Sequence, residues 1–160
     1  MALDDRIRLL EQRLAILEDK EELSTLMNHY CTLVDSKQYT EWSNLFTEDG
    51  ILNFEPWGPV QGRENIARVT SDAEKAYECM MHCLTNVQFE VDGSDIAKGS
   101  AYIASYVTPH LKNLGINFGL GGRYSLLFKR TAEGWKVAEH LLSPTWTQGS
   151  DAFGKLNSSE

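Results

Sequence analysis

Basic residues are scarce in this chain: 15 Lys and Arg stand against 23 Asp and Glu, for a net charge of −8. A nucleic acid or an anionic membrane surface needs a basic face, so neither is expected as a partner. No hydrophobic run approaches the length of a membrane span. The first residues, MALDDRIRLLEQ, are charged throughout and contain no signal-peptide core. Cysteine is equally sparse. Cys31, Cys79 and Cys83 are an odd set without scaffold spacing, which predicts a reduced, cytoplasmic setting. There is no internal repeat, no low-complexity tract, no P-loop and no nucleophile-elbow motif. What remains, at 160 residues, 42% hydrophobic and 24% charged, is the composition of one globular domain with a real core.

The apolar spacing is helical from Leu3 to Val34. Ile7, Leu10, Leu14 and Leu17 form a short heptad-like seam, and Leu23, Leu26, Met27, Tyr30, Leu33 and Val34 carry a second stripe. The charged run EDKEE between them predicts a break, giving an N-terminal arm (1–18) ahead of the main domain (19–147). The arm's stripe could pack on its own domain or on another subunit. A second helix is expected over Gln38–Phe46, then a turn at Thr47–Gly50 and a short strand at Ile51–Phe54. Pro56, Gly58 and Pro59 predict a loop carrying Trp57, and Gly62 opens a third helix to about Tyr77. Beyond Glu78 the period changes to two. Strands are expected at Met80–Val91, Ile96–Thr108, Phe118–Arg130 and Trp135–Ser143, with tight turns at Asp92-Gly93 and Glu133-Gly134. Residues 148–160 are polar and read as a loose tail. Helices first and long strands after make the fold class α+β.

Polar residues on apolar elements mark the candidate site. In MMHCLTNVQF, alternation puts His82, Leu84, Asn86 and Gln88 on one strand face, and Cys83, Thr85, Val87 and Phe89 on an expected core face. His82 is either a satisfied core imidazole or a general base near neutral pH, with Asn86 lining the same polar patch. Asp35 ends the first helix, where the macrodipole opposes an acid by roughly 0.3–1 kcal/mol. It either caps the second helix or orients and charges an imidazole. Tyr30, Tyr106 and Tyr124 are core residues or hydroxyl donors to a substrate oxygen. Trp42, Phe46, Trp57 and the methionines are core residues or walls for an apolar ligand. Alternation groups His140 with Lys136 and Ala138, opposite Trp135 and Val137, and leaves its side open. Cys79, His82 and Cys83 make a poor zinc set, because neighbours on a strand point apart, so no metal is expected. The glycines at 119, 121 and 122 interrupt a strand and mark a bulge or close approach.

The order of these features resembles a known family. NHYCTLVD ends the first helix, WSNLFTEDG and GRENI follow, then HCLTN, GGRY and GWKV. This set resembles the SnoaL-like branch of the nuclear transport factor 2-like superfamily, nearest to relatives of scytalone dehydratase, bile acid 7α-dehydratase and hexachlorocyclohexane dehydrochlorinase. The resemblance covers about residues 18–146. It implies a cone-shaped α+β barrel, its strongly bent mixed or antiparallel sheet wrapped by three or four helices around a deep pocket. It also implies an Asp–His dyad working without cofactor, with Asp35 and His82 at the dyad positions and Tyr30 at a polar helix position. Two departures stand out. The dehydrochlorinase-like enzymes carry arginine where this chain has His140, and bile-acid-dehydratase-like members carry a carboxylate near Ser105.

The expected activity is therefore that of a cofactor-independent lyase, isomerase or cyclase, with dehydration leading. Its substrate would be a hydrophobic polycyclic, polyketide- or terpenoid-like small molecule. Asp35, His82 and Tyr30 would be catalytic; Trp42, Phe46, Trp57, Asn86, Tyr106, Tyr124 and His140 would line the substrate site. A homo-oligomer, dimer or trimer, is expected. The competing reading is a non-catalytic small-molecule binder or assembly module of the same fold, its outer sheet face serving oligomerisation.

Overall fold

A computed structural model describes residues 2–55 and 57–149. Helix α1 runs unbroken from Leu3 to Asp35. The break expected at EDKEE does not occur, because the run is made of good helix formers and its Asp19 is pinned to the sheet. Arg130 donates to the Asp19 carboxylate at 2.7 Å and Trp135 Nε1 at 3.1 Å. From there on Leu23, Leu26, Met27, Tyr30 and Val34 are buried. Helix α2 is only Tyr39–Ser43. The expected second helix is cut short because Phe46 already pairs with Val137 of the last strand. Strand β1 therefore spans Phe46–Phe54, absorbing the expected turn through a register irregularity between Phe46 and Ile51. The expected loop includes a short strand β2, Gly58–Gln61, and α3 follows over Arg63–Glu74. Pro56 lies outside the described residues.

The long strands fall close to their expected places: β3 Cys79–Glu90, β4 Ile96–Thr108, β5 Phe118–Thr131 and β6 Gly134–Gly149. Gln148 and Gly149 still belong to β6 rather than to a tail; the rest of the expected tail lies outside the described residues. The turns between β3 and β4 and between β5 and β6 use Gly93 and Gly134, both at positive φ. The six strands form one open mixed sheet in the order β2-β1-β6-β5-β4-β3, with β1 parallel to β6 and the other pairs antiparallel. The glycine run in β5 marks a close approach, as its spacing predicts. A Cβ on Gly121 would sit 2.0 Å from the Trp146 indole.

Two one-residue bulges decide which side chains face inward. In β3 the register slips between Thr85 and Gln88, with Asn86 at φ 52°. Met80, His82 and Leu84 share the inner face before the bulge. After it Phe89 turns inward to meet Phe128, at a ring distance of 5.9 Å. The expected core face is thus corrected: Thr85 and Val87 are exposed, with half-buried Cys83 in their parity. In β6 an extra residue at Ala138 separates the pairs Phe128–Val137 and Leu127–Glu139. Strict alternation would group His140 with Lys136; the bulge puts it among the core residues, 2% exposed.

Candidate active site

The inner face of the sheet, α1, α2 and α3 enclose a cavity of about 210 Å³. Its walls are mostly apolar, with Val34, Leu52, Val60, Phe118, Leu120 and Leu142 among them. Trp57, partly exposed, stands against Phe54 at a ring distance of 4.4 Å. Polar groups gather in two pairs, each linking α1 to one inward-facing strand position.

In the first pair, His82 Nδ1 lies 2.7 Å from Asp35 Oδ1, while Asp35 Oδ2 accepts the His82 backbone N–H at 3.0 Å. The two side chains are 14% and 25% exposed. A carboxylate only accepts, so this contact places the ring proton on Nδ1 and leaves Nε2 as the basic nitrogen. Asp35 caps nothing: α2 starts after Gln38 without a side-chain cap. The acid at the wrong end of the helix dipole finds its compensation on β3, across 47 residues of sequence.

The second pair is fully buried. The Tyr30 hydroxyl lies 2.7 Å from His140 Nδ1, and the His140 Nε2 atom is buried without a hydrogen-bond partner. Burial, helped by the nearby His82, pushes the His140 pKa down to about 3, so the ring is neutral at ordinary pH. Burial likewise pushes the Tyr30 and Tyr124 hydroxyls well above their usual values. Tyr124 packs edge-on against His140 at 4.1 Å, and Trp42 against Tyr30 at 5.1 Å. The Trp42 indole Nε1 is also buried without a partner.

The other expected site residues divide cleanly. Trp42, Trp57, Tyr124, His140, Tyr30 and His82 line the cavity, with Asp35 held against His82. Phe46 is fully buried beside Trp42 and Tyr30 but does not line the cavity. Asn86 is exposed because its own bulge turns it out, which removes it from the site. Tyr106 is 40% exposed on the outer face, since its neighbour Ser105 takes the inward position opposite His82. The described methionines do not line the cavity either: Met27 and Met80 are core, and Met81 is exposed.

The carboxylate among the lining residues was not anticipated. Glu74 closes α3, on a stripe with Ile66, Thr70, Ala73 and Tyr77, and its Oε2 is buried without a hydrogen-bond partner. Burial pushes its carboxyl up to about 7, against the opposing pull of His82 and of the neighbouring Tyr39 hydroxyl. The sequence carried the signal that marked Asp35: an acid on an apolar stripe at a helix C-terminus, where the dipole disfavours it. Among the described residues, no cluster of His, Cys, Asp and Glu has the arrangement to hold a metal ion.

The family model of the SnoaL-like domain matches residues 15–140. An uncharacterized protein of Mycobacterium tuberculosis is 23% identical over 128 residues, 79% of this chain and 86% of that protein. In three dimensions the chain is similar to an NTF2-like protein with a cystatin-like fold from Novosphingobium aromaticivorans. That likeness has a TM-score of 0.72 and 25% identity over 99% of this chain and 94% of that one. A proposed scytalone dehydratase from the same organism gives a TM-score of 0.76 at 18% identity, covering 85% and 90%. A hexachlorocyclohexane dehydrochlorinase from Novosphingobium barchaimii gives 0.74 at 15% identity, covering 88% and 95%.

Proposed function

The chain belongs to the SnoaL-like domain family, and from that premise we propose that its cavity carries out a cofactor-independent elimination or isomerisation on an apolar ring compound. Dehydration is the favoured reaction. The observation that carries this reading is the bond between Asp35 and His82 at the cavity wall. His82 Nε2 removes a carbon-bound proton while Asp35 fixes the tautomer and stabilises the imidazolium that forms.

The second pair supplies the electrophilic help. A neutral His140 ring and the Tyr30 hydroxyl hold two labile protons between them, and their mutual bond uses one. Either tautomer leaves one donor, His140 Nε2–H or Tyr30 O–H, for a substrate oxygen on which negative charge develops. Glu74, protonated below about pH 7, is placed to hand its proton to a departing hydroxyl. Proton balance then closes within the cavity: C–H to His82, Glu74 to the leaving oxygen, water lost, and the proton returned from His82 to Glu74. The similarity to a proposed dehydratase and to a dehydrochlorinase is consistent with this class. A cavity of about 210 Å³ favours a substrate of one or two rings over a larger polycycle, since pockets for drug-sized ligands span roughly 300–1,000 Å³.

A β-hydroxylated α-tetralone tests the proposal, because loss of water gives fluorescent α-naphthol. Turnover by the wild-type protein, lost by about 10²–10⁴ in His82→Ala, is the expected result. Tight binding of the ketone with no turnover would instead make the cavity a binding site.

A further inference from the structure

Helix α1 has two apolar faces, and its own domain uses only one. Ile16, Asp19, Leu23, Met27, Tyr30 and Val34 turn toward the sheet and the other helices. Leu3, Ile7, Leu10, Leu14 and Leu17 are left between 44% and 69% exposed. Leu14 and Leu17 each lie two residues from Ile16 and Asp19, about 200° around a helix. The seam therefore looks directly away from the domain that anchors it.

Its spacing alternates four and three, which places Ile7 and Leu14 at a positions and Leu3, Leu10 and Leu17 at d positions of a heptad. The flanks are sorted by sign. The e positions hold Asp4, Glu11 and Glu18, and the g positions hold Arg6, Arg13 and Lys20. Among the described residues, the ion pair on this part of the helix joins Arg8 to Asp5, at b and f, away from both flanks. A parallel pair brings each g charge to the e position of the next heptad on the other helix, so Arg6 meets Glu11 and Arg13 meets Glu18. An antiparallel pair sets g against g and e against e, base on base and acid on acid.

We propose that residues 3–20 pair with the same segment of a second copy as a parallel, in-register, two-stranded coiled coil. The occupant is a second copy because the acidic e row and basic g row of one helix complement those of an identical helix in parallel register. Ile7 at one of the two a positions, with leucine at all three d positions, favours two strands over three. The seam ends where it should. The next a and d positions are Glu21 and Ser24, so the helices part as they enter their domains, which lie on opposite sides of the pair. An isolated helix this short would be marginal, but here the buried half of α1 nucleates it.

The test is cross-linking through Leu17→Cys in the full chain carrying Cys79→Ser, which removes the exposed native thiol. Mild oxidation is expected to give covalent dimers from Leu17→Cys alone, and none from Gln12→Cys at an outward f position. Arg6→Glu with Arg13→Glu, in the Leu17→Cys chain, should slow cross-linking roughly tenfold at low salt. Mixing with the same chain bearing Glu11→Arg and Glu18→Arg should restore it. Cross-linking of Leu17→Cys only with Ile7→Cys, the a position that faces Leu17 when the helices run antiparallel, would show an antiparallel pair and overturn the proposal. No cross-link in either arrangement would place any oligomer contact on the outer sheet face or elsewhere, which also overturns it.

Discussion

The cavity holds two histidines, and what lies behind each imidazole gives the two opposite surroundings. His82 has a carboxylate on Nδ1 and partial access to solvent, so its far nitrogen is basic and a positive charge on the ring has a partner. His140 has a phenol on Nδ1 and no solvent, so burial holds the ring neutral, and the function proposed above uses it to donate or to polarise. Both partners come from α1, one turn and a residue apart, and both rings come from inward positions on the sheet. In the proposed reaction, local environment more than residue type divides base from electrophile.

Breaking the first pair has the largest expected effect. Asp35→Asn keeps the shape but offers Nδ1 no anion, and should lower dehydration of the β-hydroxylated α-tetralone about 10³-fold with little change in KM. Next comes the pH dependence of stability. The Glu74 carboxyl is raised in the fold, so the folded state binds more protons between the ordinary value and about 7, and stability falls as pH rises through that window. The His140 ring is lowered, so the unfolded state binds more protons between about 3 and the ordinary histidine value, and stability rises with pH there. Urea titrations should therefore show a plateau between the two edges. Glu74→Gln should abolish the alkaline fall, gaining about 3 kcal/mol at pH 8 and nothing at pH 4.

A smaller effect is expected from the second pair. Tyr30→Phe removes one of two protons shared with His140 and should cost about 10- to 100-fold in turnover of the β-hydroxylated α-tetralone. The smallest concerns the bulge. Asn86→Val forces a β-branched residue to positive φ and should cost about 1 kcal/mol of stability, whereas Asn86→Gly should be near neutral, and both should turn over normally. A turnover defect in Asn86→Gly would mean that this residue reaches the site after all.

The long strands were legible because alternation and turn glycines act locally; Ile96–Thr108 falls where the pattern puts it. The shared motifs made Asp35, His82 and Tyr30 legible as a group, although nothing local joins positions so far apart. What alternation could not carry was a bulge. One extra residue in β3 and one in β6 reverse the inward face, which is why Asn86 was expected inside and His140 was left unplaced. Glu74 was missed for a different reason: the third helix was expected only as an element running to about Tyr77, and none of its side chains was weighed for the site.

The most direct test of the central claim separates proton abstraction from loss of water. α-Tetralone has an acidic C–H next to its carbonyl and no leaving group, so exchange with D2O, followed by NMR, reports the base alone. The wild-type protein should catalyse exchange, His82→Ala should lose it by about 10²–10⁴, and added imidazole should restore part of it. Exchange that persists in His82→Ala, with the ketone still bound in the cavity, would contradict the assignment of His82 as the base.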